Sequence, residues 1–107
     1  MCQRATGGPS ATLVWVAGAD VVWTGAPATY RSSPVARRGY CAACGTPLFL
    51  AYDDDSQIAL LHGAFDQRDD LVPSHHYGAE GRLPWDDSGA GLPAKPTDPD
   101  LAKRVLG

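Results

Sequence analysis

Val35-Ala36-Arg37-Arg38-Gly39-Tyr40-Cys41-Ala42-Ala43-Cys44-Gly45-Thr46-Pro47-Leu48-Phe49-Leu50-Ala51-Tyr52 is the stretch that decides how this chain reads. Its two arms are short runs of β-branched, aromatic and aliphatic residues, closed off by Ser33-Pro34 on one side and Asp53-Asp54-Asp55-Ser56 on the other. Such runs between turn clusters have the texture of strands. At the centre, Cys41 and Cys44 stand three positions apart across a tight turn, so both sulfurs can face one metal, and Gly45 lets the backbone fold in behind the second. A zinc knuckle is the favoured reading. A redox dithiol normally places its first cysteine at a helix N-terminus, where the dipole lowers the thiol pKa, but here Pro47 leads into a strand. A pair of small packed cysteines without a ligand is the remaining alternative.

Working outward, strands are predicted over 11–16, 20–24, 28–32, 35–40, 48–52 and 57–62, with turns at Gly18, Gly25-Ala26-Pro27, Ser33-Pro34, Gly45-Thr46-Pro47 and the acidic run from Asp53. No helical period of useful length precedes position 97, so the fold class is mainly β. From 78 to 99 glycine and proline recur every few residues around one apolar island, Leu83-Pro84-Trp85, which reads as irregular chain pinned by a tryptophan. A short C-terminal helix follows, with Asp98 as cap, Pro99 in the first helical position and Lys103-Arg104 near the end. Leu101, Val105 and Leu106 fall on one face, which is expected to dock. The organisation is a β domain over 1–96 and a short helix over 97–107.

At 107 residues the chain has room for one domain, and with 44% hydrophobic and 20% charged residues it lies in the globular range. The longest apolar run, Leu13–Ala17, is far below the roughly 18 residues of a membrane helix. The opening Met1-Cys2-Gln3-Arg4 lacks the apolar segment of an export signal, so a cytoplasmic location is expected. The net charge is −3 and the adjacent basic pairs are Arg37-Arg38 and Lys103-Arg104, too little for a phosphate-backbone partner. Nucleic acid and membrane are therefore not expected partners. Three cysteines, an odd count, argue for metal ligation or thiol chemistry over a disulfide framework.

A structural zinc takes four ligands, and beyond Cys41 and Cys44 the stock is Cys2, His62, His75 and His76. A site of Cys2, Cys41, Cys44 and one histidine satisfies the count without any spacing that demands it. Each histidine is more in keeping with a packed or hydrogen-bonded imidazole.

Further residues carry a resemblance. Cys2-Gln3-Arg4-Ala5-Thr6-Gly7-Gly8, Trp23 with Gly25, Tyr30, Tyr40-Cys41-Ala42-Ala43-Cys44-Gly45 with Leu48, then Gly63, Phe65-Asp66, Pro73, His76 and Arg82-Leu83-Pro84-Trp85 follow one another as in a known family. Over nearly all of positions 2–96 the chain resembles the glutathione-dependent formaldehyde-activating enzymes, which share their domain with the centromere-protein-V group. The resemblance implies a zinc protein of β-tent type with two metal sites. Cys41 and Cys44 would belong to a structural zinc and Cys2 to a catalytic one. The early cysteine pair and the first two cysteines of the catalytic cluster have no counterpart here, so Met1 is expected to be an internal methionine of an N-terminally shortened copy.

The implied activity is a carbon–sulfur lyase type of reaction, in which the thiol of glutathione adds to formaldehyde to give S-hydroxymethylglutathione. Cys2 would then be a metal ligand and not a nucleophile. Arg4 is the candidate anchor for a glutathione carboxylate, with a solvated surface charge as its equal alternative. His76 is the candidate acid–base group, though packing is the favoured reading, and Trp85 is expected as a buried core or pocket wall. With its thiol sets incomplete, the chain is expected to show little or no lyase activity and less than one zinc per chain. The contrasting possibility is a non-enzymatic zinc-binding structural or interaction module. The centromere part of the family name does not carry a nucleic-acid role over, since no basic tail is present.

Overall fold

Five of the six runs read as strands do pair, and they pair side by side. The computed structural model describes residues 2–75, 77, 81–86, 91–96 and 98–106. In it β1 (Leu13–Ala17), β2 (Ala28–Ser33), β3 (Ala36–Tyr40), β4 (Pro47–Tyr52) and β5 (Gln57–Leu61) form one antiparallel sheet in the order β1-β5-β4-β3-β2. Strands β2 to β5 are a meander of hairpins, and β1 returns to pair with β5 from Leu13↔Leu61 to Ala17↔Gln57. The acidic turn between β4 and β5 is fixed by its own side chain, since the Gln57 N–H donates to Asp55 Oδ1 at 2.8 Å.

Pairing register sorts the side chains between two faces. On one face Ala36, Leu50 and Ala59 form a small buried cluster with Leu13 against it. On the other, Phe49, Ala51 and Ile58 are joined by Val16, Val21, Leu48 and Leu60. Gly39 stands opposite Phe49 in the register, and a Cβ placed on it would run into the phenyl ring. The ring lies on bare backbone because no side chain is there to lift it.

Two elements differ from the sequence reading. Residues 20–24 do not form a strand. The chain turns through a 3₁₀ segment, Gly18–Asp20, anchored where the Gly18 N–H donates to Ser56 O at 2.8 Å. It then crosses the sheet face, where Val21 joins the Phe49 cluster and the Trp23 ring lies 5.6 Å from that of Phe49. The apolar alternation there serves packing onto a face, which looks the same in sequence as alternation that serves pairing.

The second difference is a helical turn, α1 (Cys2–Thr6), too short to show a period. Gln3, Arg4 and Ala5 are good helix formers, and Gly7 ends the turn at φ 73° with its N–H donating to Gln3 O at 2.9 Å. At the other end of the chain, α2 (Pro99–Leu106) forms with Asp98 as its cap, Oδ1 accepting from the Asp100 N–H at 2.9 Å. The side chains of Leu101, Val105 and Leu106, which were expected to dock α2, lie outside the described residues.

Trp85 also departs from expectation, being 68% exposed instead of buried. Its segment closes on itself, with the Asp86 N–H donating to Leu83 O at 3.0 Å and Arg82 Nε donating to Asp86 O at 2.9 Å, so the ring is not laid against the sheet.

Candidate thiol and arginine site

The tip of the β3–β4 hairpin is the cysteine loop. Its neck is closed by the Cys41 N–H donating to Thr46 O at 2.9 Å, and its bend by the Gly45 N–H donating to Cys41 O at 2.7 Å. Gly45 sits at φ 79°, a conformation that disfavours any side chain. This folds Cys44 back so that its sulfur is 3.0 Å from Thr46 Oγ1 and within hydrogen-bond reach of the Cys41 thiol. The Cys44 thiol is held below its ordinary pKa, first by the Thr46 hydroxyl, then by the Thr46 backbone N–H and the Cys41 thiol, with desolvation opposing them. These bonds all favour the charged sulfur.

Two adjacent sulfurs are the right chemistry for zinc, but they are half of a tetrahedral set. Among the described residues no group of three or more His, Cys, Asp or Glu side chains gathers at one point. Cys2 is engaged elsewhere. His62 is engaged as well, its Nε2 lying 2.8 Å from Arg68 O and 2.9 Å from Leu71 O. Facing two carbonyls, that nitrogen must carry the proton and clasps the loop after β5. His75 Nδ1 is 2.8 Å from Ser74 Oγ, and His76 lies outside the described residues. The described donors therefore do not complete a zinc site among themselves.

The residue that sequence reasoning missed is Arg38. It sits in the middle of β3, across from Tyr30 on β2 and Leu50 on β4, and is only 6% exposed. Its Nη2 donates to Cys2 Sγ at 3.5 Å, which ties α1 down onto the sheet. Its Nε is buried and makes no hydrogen bond among the described residues. The ion pair found among the described residues is Arg31–Asp53 at 2.8 Å, so no carboxylate among them neutralises Arg38.

A partly open cavity of about 140 Å³ adjoins Arg38, walled by Thr6, Tyr30, Tyr40, Gly45 and Phe49 among others. The Tyr30 and Tyr40 rings stand 6.1 Å apart beside it. Gly45 belongs to both the cavity wall and the cysteine loop. Arg4 is exposed on α1 and is not among the lining residues. A signal for Arg38 was present in the doublet Arg37-Arg38, since strand alternation must send one of the two to each face. Arg37 takes the other face, its guanidinium carbon 5.4 Å from the centre of the Phe49 ring.

Fold and site together define a mainly β, single-sheet protein with a two-thiol hairpin tip beside a buried arginine that no described carboxylate neutralises. The family model for the glutathione-dependent formaldehyde-activating enzyme matches residues 1–79, and the chain belongs to that family. No curated protein and no solved structure matches it.

Proposed function

We propose that this chain carries a glutathione-binding, formaldehyde-activating domain of carbon–sulfur lyase type. The reading rests on the family match over residues 1–79 taken with the cavity beside Arg38, whose guanidinium also reaches Cys2. In that chemistry the glutathione sulfur bonds to the formaldehyde carbon, and the thiol proton passes to the carbonyl oxygen. At about 140 Å³ the cavity is below the roughly 300–1,000 Å³ of a pocket that engulfs a drug-sized ligand. It accommodates one end of the tripeptide, while the rest lies over the open mouth.

The sheet is read as the β-tent that goes with this family, and zinc as its cofactor. Cys41 and Cys44 are offered as two ligands of one metal and Cys2 as a single ligand of another. Zinc would supply Lewis acidity toward a thiol or carbonyl. Since neither ligand set is complete among the described residues, the 107-residue chain is expected to hold less than one zinc and to leave the addition near its uncatalysed rate.

The test is an NMR titration of the labelled chain with glutathione and isotope-labelled formaldehyde, alongside elemental analysis. Saturable shifts at the Thr6, Tyr40 and Gly45 amides are expected. Glutathione that leaves all three unmoved would sink the reading, and zinc bound without such shifts would point to a non-enzymatic metal module. One tightly held zinc per chain would overturn the incomplete-ligand part and favour Cys2, Cys41, Cys44 and one histidine.

A further inference from the structure

We infer that Arg38 is the anchor of a carboxylate-binding subsite in the cavity beneath α1. A guanidinium stays charged under all ordinary conditions. Burying a charge without an acidic partner is costly, and a buried donor with no acceptor adds to the cost. Arg38 shows both features among the described residues: it is 6% exposed, its Nε has no partner there, and its Nη2 meets a thiol at a long 3.5 Å. A sulfur bond of that length does little to offset the cost, so an incoming anion would relieve it.

The ligand class follows from charge, shape and size. Among the described residues Arg38 is the one charged residue lining the cavity, which suits a monoanion and leaves a dianion such as phosphate half neutralised. The planar edge of the guanidinium matches the two oxygens of a carboxylate. The volume of about 140 Å³ is well above the roughly 10–15 Å³ that one water needs, and gives room for a carboxylate and the carbons next to it. Pro47 and Leu61 supply apolar wall for those carbons, and Ala5 and Thr6 are the wall residues from α1. Assigning this carboxylate to glutathione rests on the function proposed above, whereas the subsite itself rests on Arg38 and its cavity.

The experiment is a ¹H–¹⁵N titration of the full chain, following the Arg38 Nε–H resonance and the Thr6 and Gly39 amides. The probes are acetate and its neutral isostere acetamide, with ionic strength held constant by chloride. Acetate should shift these signals saturably and acetamide should not. Arg38→Gln should weaken acetate binding about tenfold or more, the loss expected for a charge-assisted hydrogen bond. Arg38→Lys, which keeps the charge and loses the fork, should fall between.

Should the variants fail to fold, the acetate and acetamide comparison on the unaltered chain decides alone. Silence toward acetate, or equal shifts from acetamide, overturns the subsite. Acetate binding without glutathione binding keeps the subsite and defeats the proposed function. Glutathione binding that acetate does not compete away does the reverse.

Discussion

Gly39 and Phe49 form a cross-strand pair in which one partner is reduced to backbone so that the other can be buried to 3% exposure. Because the ring is enclosed, it has nowhere to retreat from an added methyl group. Gly39→Ala should therefore destabilise the chain by about 1–3 kcal/mol, the usual cost of overpacking, read as a lower urea midpoint. Adding Phe49→Leu to that variant should recover part of the loss.

Arg31 and Asp53 make a fork-to-carboxylate pair at 2.9 and 2.8 Å that fastens the outer strand β2 to the end of β4. Hydrogen bonds from Arg31 hold the Asp53 carboxyl below its ordinary pKa, aided by the charges of Arg31 and Arg37 and opposed by desolvation. A carboxyl whose folded value is depressed stabilises the fold above the ordinary carboxylate range, and that contribution is lost as pH falls through the folded value. Thermal melting should thus decline below about pH 4, and Asp53→Asn should flatten this part of the profile.

At the scale of elements, the clasp from His62 to Arg68 O and Leu71 O holds the segment that leaves β5. His62→Ala removes this shared hydrogen bond and should cost about 0.5–1.5 kcal/mol, the typical net value of one bond. Limited trypsin digestion, which cuts after Arg68, is the sensitive readout and should speed up in the variant.

The strands on either side of the cysteines were legible because their residue types and bounding turns agree with each other. Predicted 28–32, 35–40, 48–52 and 57–62 differ from the observed strands by one residue at most at any end. What escaped was whatever local pattern does not encode. Val21 and Trp23 alternate as a strand would, yet their partner is the Phe49 ring on a sheet face, a long-range fact. One turn of helix at Cys2–Thr6 carries no period. The cysteine loop could be read from spacing alone, while Arg38 became conspicuous only when its missing partner could be seen.

For the molecule as a whole, the interior is modest. Its buried apolar residues include three alanines, Ala36, Ala51 and Ala59, while Trp15, Trp23, Tyr30 and Tyr52 are each more than 40% exposed. The radius of gyration, 16.0 Å, exceeds the about 13 Å of a compact chain this long, as expected when segments extend away from a single sheet.

Among the described residues the sheet has two unpaired borders, β1 and β2. Strand β2 carries Arg31, but β1 is Leu-Val-Trp-Val-Ala without a charge, the kind of border that recruits another strand. Apparent mass by size exclusion should rise with protein concentration. Ala17→Lys, at an exposed position of β1, should suppress that rise.

One glycine links the two halves of the site. Gly45 shapes the bend that brings the cysteine sulfurs together and also forms a panel of the Arg38 cavity. An ion that grips the sulfurs and deforms the bend would alter the cavity in the same movement. Thermodynamic reciprocity then requires that whatever fills the cavity change the grip on that ion by an equal factor.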